Sequence, residues 1–442
     1  MAPQTSARTA VYITAVEDVA QSPLIRSQVF AVLRAMRSQA VPWQQAVVAL
    51  YPVANWLRQR SRLAGLRMGL AQAGVALHVL PIFFFTRHFY MSRPWLALYY
   101  GQALLAAAWI ALRLRPALTH CRSYPATLVG AAVKRLSGAR LIFDGRALYP
   151  EEGAGRLDGG KSVMLDQRSF ALWKRIEAQL VGRADAIACV SRPMADILAE
   201  QYPAARDRLL VAPTCTPVPA WADLAAWRSQ TRAELALGDR LTIAYAGSWF
   251  DPPAMIALLR QLRAAAGEGA WPTFGLLLLV SSRSGDADAT QAQIAETMRA
   301  ALPEAGCIVL AARPADVVRY LAGADLAVQP VSVTAQAMRD TRFLLQSRTM
   351  LSVKFTEYLA AGLPVVISRW AGAAAQIVRD QDLGIVYDEA SPEELVAWLA
   401  RISAPTARAD FRARAWAYAR DHFAVDALAQ RYRDLYHRLL SS

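Results

Sequence analysis

The sequence predicts an α/β protein made of two doubly wound, parallel-sheet domains. Three observations predict it. Short apolar runs with strand character alternate with helical patterns along the chain. The alternation pauses at the proline-rich stretch Ala212-Pro-Thr-Cys-Thr-Pro-Val-Pro219 and then restarts. The stretch Ser352–Ser368 reads as a helix, a glycine stop and a strand buried on both faces. Strands alternating with helices form a sheet covered on both sides, and ligands bind outside the carboxyl ends of its strands. Two such sheets with those ends facing one another share a central cleft. At 442 residues and 55% hydrophobic, the chain has material for two or three cores.

In chain order, Thr9–Ala15 reads as a strand, and Leu24–Arg37 as a helix with Val29, Leu33 and Met36 at helical spacing. Gln45–Leu50 and Val75–Leu80 read as strands around a helix over 53–72. Residues 92–114 read as a helix, Ala117–Cys121 as a strand, 125–137 as a helix, and Arg140–Phe143 as a strand. Helices over 166–181 and 191–201 lead to strands Ala184–Val190 and Leu209–Val211. Three prolines in 212–219 continue neither a helix nor a central strand, so this is the expected linker. Beyond it, strands are expected near 241–246, 275–280, 307–310, 325–329, 364–368 and 384–387, with a long loop over 331–351 and amphipathic helix over 411–440.

Composition narrows the function classes. Cys121, Cys189, Cys215 and Cys307 lie far apart with no C-x-x-C pair, which points to buried thiols in a reducing cytoplasm. The first residues lack the apolar core of a signal peptide. The net charge of +14 calls for an anionic partner. No zinc finger, RNP motif or basic helix with interleaved aromatics is present, so nucleic acid is not expected, and the anionic face of a membrane is. Trp95–Leu112 is apolar and free of charge, and its place between two strands makes it a core helix rather than a spanning one. Val53–Leu70 places Arg58, Arg60, Arg62 and Arg67 among Trp56, Leu57, Leu63 and Leu66; a solvated face and a membrane-surface helix both fit.

The chemistry concentrates in Ser352–Ser368. Lys354 and Glu357 are three apart and share a helical face near the helix start. Helix-start N–H groups and a lysine attract an anion, and a glutamate one turn on accepts hydrogen bonds from a diol. Phosphate beside a diol describes a nucleotide; a plain surface ion pair is the alternative. Gly362 suits the left-handed residue that ends a helix, and Pro364 blocks continuation.

As a whole, this stretch closely resembles the signature of the family 4 glycosyltransferases, the retaining group of GT-B fold, which in one branch runs S/P-x-K-x-x-E-Y-L-A-x-G-L-P-V-V. Leu241-Thr-Ile-Ala-Tyr-Ala-Gly-Ser248 resembles the strand and turn that open the family's nucleotide domain. Ala324–Pro330 resembles a later strand, Phe143-Asp-Gly-Arg146 an "fD-x-R" element, and His120-Cys-Arg122-Ser123 an "H-x-R-S" element. The resemblance covers most of the chain, most strongly 240–440. It implies a GT-B fold: an acceptor-binding Rossmann-like domain over 1–215, a nucleotide-sugar-binding one over 220–405, and C-terminal helices over 406–442 crossing back to the first domain.

The resemblance also implies transfer of a sugar, with retention, from a nucleotide-diphosphate donor to a glycan or lipid-linked acceptor. The expected setting is cell-surface polysaccharide assembly on the inner face of the membrane, with no cofactor and no metal. Glu357 is expected on the ribose, and Lys354 and Arg348 on the diphosphate. Gly247 and Ser248 complete the donor set. Asp144 and Arg146 are the catalytic candidates, on the transferred sugar and a phosphate; a loop-fixing ion pair between them is the alternative. Arg26, His120 and Arg122 are the acceptor candidates, and His120 also suits a core position. Two departures stand out. Thr349 occupies the position where many members carry a second glutamate, and no basic residue follows Gly247 in Gly247–Pro253. A nucleotide-sugar 2-epimerase of the same fold and an inactive membrane-docked assembly subunit are the rival readings.

Overall fold

The computed structural model describes residues 8–38, 41–85, 89–155, 157–158, 161–162, 165–247, 250–266, 274–280, 287–303, 305–335 and 337–441. The chain divides into two units. The first contains the chain to Pro213, Ala335–Thr349 and the chain from Val425; the second contains Thr214–Thr334 and Met350–Ala424.

The first unit is built on seven parallel strands: β1 (Thr9–Ala15), β2 (Gln44–Pro52), β3 (Val75–Ile82), β4 (Leu118–Arg122), β5 (Arg140–Gly145), β6 (Ala186–Cys189) and β7 (Leu209–Val211). They lie in the order β3-β2-β1-β4-β5-β6-β7. The second unit has six: β8 (Leu241–Gly247), β9 (Phe274–Val280), β10 (Gly306–Leu310), β11 (Leu326–Gln329), β12 (Val365–Ile367) and β13 (Gly384–Val386), in the order β10-β9-β8-β11-β12-β13. Both orders reverse once, between β1 and β4 and between β8 and β11. That reversal opens the crevice where doubly wound sheets bind ligands. The central strands are apolar on both faces because helices cover both; Phe274–Val280 is buried at every position. In the second unit Ile243, Leu276, Leu326 and Val366 of the sheet pack with Leu258, Leu395 and Phe411 from helices.

Four features differ from the sequence expectations. The loop over 331–351 contains a helix, Thr341–Thr349, which packs on helices Tyr149–Gly155 and Arg192–Gln201 of the first unit. Ser191 Oγ donates to the Thr349 carbonyl at 2.9 Å, and the Arg342 guanidinium lies 5.7 Å from the Phe170 ring centroid. The C-terminal segment divides at Ala424. Helix Pro405–His422 stays in the second unit against the signature helix, and helix Val425–Ser441 packs on Ala31–Ser38 and β4 of the first. The helix over 53–72 breaks at Gln59, whose buried amide bonds Asp18 at 3.0 Å and Tyr51 at 3.2 Å. Finally, helix Arg93–Arg113 is no core helix. Only 33% of its apolar window is buried, because one stripe alone, including Leu96, Tyr99, Ala103 and Ile110, meets the protein.

Candidate functional site

Each unit gathers polar side chains at its own strand-order reversal. In the second unit the signature helix, Val353–Ala360, is capped by Ser352, whose Oγ accepts from Phe355 N at 3.4 Å. It ends in paired turn bonds, Gly362 N to Leu359 O and Leu363 N to Tyr358 O, both 2.9 Å. Gly362 holds φ +69°, the left-handed conformation expected of it. Tyr358 ties the helix to both strands at the reversal. Its hydroxyl accepts from Ala246 N of β8 at 3.0 Å and donates toward Val328 O of β11 at 3.3 Å.

That anchoring sets Lys354 beside Tyr245 at the end of β8. Lys354 Nζ lies 3.3 Å from the Tyr245 hydroxyl. A Cβ at Gly247 would stand 3.0 Å from the same hydroxyl, so glycine keeps the space open. Burial pulls the Lys354 pKa down to about 8 and pushes the Glu357 pKa up to about 7. Both side chains are half-buried. Among the described residues no hydrogen bond or ion pair reaches the Glu357 carboxylate, so the surface-pair alternative for Lys354 and Glu357 is not what forms. The result is an ammonium, a helix start and an unpaired carboxylate within one turn of helix.

In the first unit the chain leaves β1 and β4 with left-handed backbone at two non-glycine residues, Val16 (φ 68°) and Ser123 (φ 64°). Such strain in a β-branched residue persists only where surrounding structure imposes it. It turns Glu17 toward Arg122, whose Nε donates to Glu17 Oε1 at 3.0 Å. Beside them Asp144 accepts from the Tyr12 hydroxyl at 3.0 Å and lies 3.6 Å from His120 Nε2 and 3.4 Å from Arg146. The 3.6 Å approach is electrostatic contact rather than a hydrogen bond. His120 Nδ1 pairs with the Tyr436 hydroxyl at 2.8 Å, and its ring packs edge-on Tyr432. Burial alone would raise the Asp144 pKa, but Arg146, then His120 and Arg122, outweigh it and hold the carboxyl well below the usual range. Arg122 is held above the ordinary guanidinium value: burial works against its charge, and Glu17, Tyr12 and Asp144 outweigh burial. Five buried polar atoms keep unused hydrogen-bonding capacity: Thr14 Oγ1, Glu17 Oε2, His120 Nε2, Arg122 NH1 and Tyr432 OH.

The structure brings some predicted residues together and separates others. Lys354, Glu357 and Gly247 share the second unit's reversal; Ser248 lies outside the described residues. Arg348 is exposed on helix Thr341–Thr349, which belongs to the first unit. Asp144, Arg146, His120 and Arg122 do cluster. However, Asp144 is only 2% exposed and engaged on both oxygens, so it orients its neighbours rather than reaching out as the catalytic group expected of it. Of the pair, Arg146 is the more open, and it also donates to Ala212 O at 3.3 Å. Arg26 turns back on its own loop and donates to Ala20 O at 2.8 Å. Sequence reasoning missed Tyr245, Glu17, Tyr432 and Tyr436. A tyrosine two residues before the strand-ending glycine was the available signal for Tyr245; the two C-terminal tyrosines gave none.

Two family models match the chain: Glycosyltransferase Family 4 over residues 62–218 and Glycosyl transferases group 1 over residues 243–404, together nearly three quarters of its length. Among solved structures, HepE from Anabaena in complex with UDP is 13% identical, with a TM-score of 0.61 over 98% of this chain and 100% of that one. Sucrose-phosphate synthase from Thermosynechococcus elongatus is 13% identical, with a TM-score of 0.64 over 98% and 99%. WaaG, a glycosyltransferase involved in lipopolysaccharide biosynthesis, is 13% identical, with a TM-score of 0.55 over 97% and 99%. At these identities the likeness is one of fold. No curated protein matches the sequence.

Proposed function

Because the chain belongs to the family 4 type of glycosyltransferases with the GT-B fold, we propose that it moves a hexose, with retention, from a nucleoside diphosphate sugar to a hydroxyl of a glycan or lipid-linked acceptor. The observation that carries the donor half is the pair Lys354 and Glu357. An ammonium beside a helix start suits the diphosphate, and a carboxylate with no partner among the described residues suits the ribose diol. The complexes of HepE with UDP and with UDP-glucose support a nucleotide sugar as donor. As the diphosphate leaves, Lys354 and the helix N–H groups neutralise the growing negative charge, and no metal is called on for that task. The first unit takes the acceptor. Arg122 and Arg146, held in place by Glu17 and Asp144, are its cations. WaaG's involvement in lipopolysaccharide biosynthesis supports a role in cell-surface polysaccharide synthesis, for which the inner membrane face is the proposed setting.

Thermal shift with UDP, GDP and ADP tests this reading, since a ligand that binds only the folded state stabilises it by mass action. At least one should raise the melting temperature, and Glu357→Ala should abolish the shift. A flat response to all three overturns the reading. Product analysis separates the rivals: a transferase slowly hydrolyses its donor to sugar and nucleotide, an epimerase interconverts it, and an inactive subunit leaves it intact.

A further inference from the structure

We propose that the outer edge of the first sheet carries a docking surface for an anionic lipid bilayer, formed by the outer stripe of helix Arg93–Arg113, the adjoining Phe83–Phe85 turn and the basic helix Arg60–Gln72. The proposal deepens the glycosyltransferase reading and rests on it only for the use of the surface, which is to bring the enzyme to acceptors in a membrane.

Charge is the first observation. Between Asp18 and Asp144 the sequence holds no acidic residue and fifteen arginines and lysines, so the whole +14 of the protein arises in this stretch and the remainder is close to neutral. Such segregation suits a negative surface. The second observation is apolar. Helix Arg93–Arg113 exposes Leu98, Leu104, Leu105 and Leu112, with Leu105 at 73% and Leu112 at 74%, and has no charge between its terminal arginines. Phe83, exposed at 72%, is fixed to the same helix. Its N–H donates to Gln102 Oε1 at 2.7 Å, and the neighbouring Phe85 packs edge-on Trp95. Together they put exposed leucines and phenylalanines on one helix and the turn bonded to it, the kind of apolar surface that marks an interaction site.

The third observation joins the two. β3 is an edge strand, and a residue of each helix touches it. Trp109 of the apolar helix packs edge-on His78 of β3 at 5.4 Å. Arg67 of the basic helix donates to Leu77 O of β3 at 3.2 Å, and its charge, after burial, lowers the His78 pKa. Arg60, Arg62 and Met68 stand exposed on that basic helix. Leucine and phenylalanine entering the headgroup boundary, with arginines at their flanks, is the arrangement of a helix lying in the plane of a bilayer. The helix does not cross the bilayer, because its inner stripe is packed on helix Ser123–Ser137. A second copy of the chain is the poorer occupant, since a symmetric contact would press two strongly basic surfaces together. Nucleic acid offers nothing to the leucine stripe.

Sedimentation of the full chain with vesicles of phosphatidylcholine, alone or with about 30 mol% phosphatidylglycerol, tests the proposal. The anionic vesicles should bind at least about tenfold more protein at low salt. Leu105→Glu with Leu112→Glu should remove binding to both vesicle types. Arg60→Ser with Arg62→Ser should weaken only the anionic preference and its salt dependence. Both double variants change exposed residues of the first unit and leave the second unit's nucleotide residues intact, so their melting temperatures and nucleotide-induced shifts should match the parent, which shows that they fold. The proposal is overturned if the parent ignores anionic vesicles, or if the leucine variant still binds them. It also fails if light scattering finds a dimer that the leucine variant dissociates, which would make the face a contact between copies. The nucleotide shift is read separately, so a failed surface leaves the enzymatic reading standing, and the reverse holds.

Discussion

Lys354 and Tyr245 meet at the strand-order reversal of the second unit, with the ammonium 3.3 Å from the phenol oxygen and 5.0 Å from the ring centroid. Among the described residues no carboxylate shares that ammonium. Its charge is therefore available, and burial has already loosened its proton to a pKa of about 8.

This gives the first prediction, a bell-shaped pH dependence. Donor binding needs Glu357 ionised and Lys354 protonated, and their pKa values are about 7 and about 8. The profile of kcat/KM, which reports the free enzyme, should rise through about 7 and fall above about 8. Lys354→Ala should lose the alkaline limb and Glu357→Gln the acid limb. Identical profiles for parent and variants would show that neither group governs binding.

A second prediction sets stability against affinity at Glu357. Its folded pKa lies above the unfolded value, so the folded state holds its proton more tightly, and stability falls as pH rises from about 4.5 to about 7. At pH above that window the carboxylate is ionised, half-buried and unpaired. Glu357→Gln should then raise the melting temperature while lowering nucleotide affinity by at least about tenfold, the loss of one charge-assisted contact. Calorimetry with and without nucleotide reads both.

The third prediction concerns Asp325, at the opposite ends of the same strands. It receives Arg228 at 2.6 Å, Arg232 at 3.4 Å and the Thr242 N–H at 2.8 Å, with Arg408 at 3.7 Å. Asp325→Ala should cost about 3–5 kcal/mol, because three arginines lose the carboxylate they share. It should leave nucleotide affinity unchanged at temperatures where the variant is folded. Denaturant titration and nucleotide binding on the same sample check this.

A fourth prediction follows from Asp144. Its folded pKa is depressed, so its stabilisation is fully present above the unfolded value of about 3.9 and is lost as pH falls through the lower folded value. Asp144→Asn should destabilise the protein by roughly 3 kcal/mol at neutral pH and flatten the acid limb of its stability curve. A catalytic role alone would cut turnover without moving that limb.

Much of the second unit was legible in its sequence. Ser352–Ser368 carries its own cap, stop and strand, all local signals, and the structure places them there. What escaped depended on packing between distant segments. Nothing local in Thr341–Thr349 says that it belongs with Tyr149–Gly155. Likewise, an uncharged helix has the same sequence whether all of it or only its Leu96–Ile110 stripe is covered. Asp144 was legible as an important carboxylate, but its burial was not, because Tyr12 and His120 reach it from separate strands.

The passage of Val425–Ser441 into the first unit has a consequence for how the protein is made. Tyr436, which holds His120, and Tyr432, which packs on it, are synthesised only after the whole second unit. At about 5–20 residues per second, the ribosome needs on the order of ten seconds or more after Pro213 before that wall exists. The second unit's sheet is complete well before then. A nascent chain can therefore present a finished nucleotide sheet while its His120 cluster still waits for Val425–Ser441. The cell meets the complete first-unit site only in chains that have been read past Tyr436.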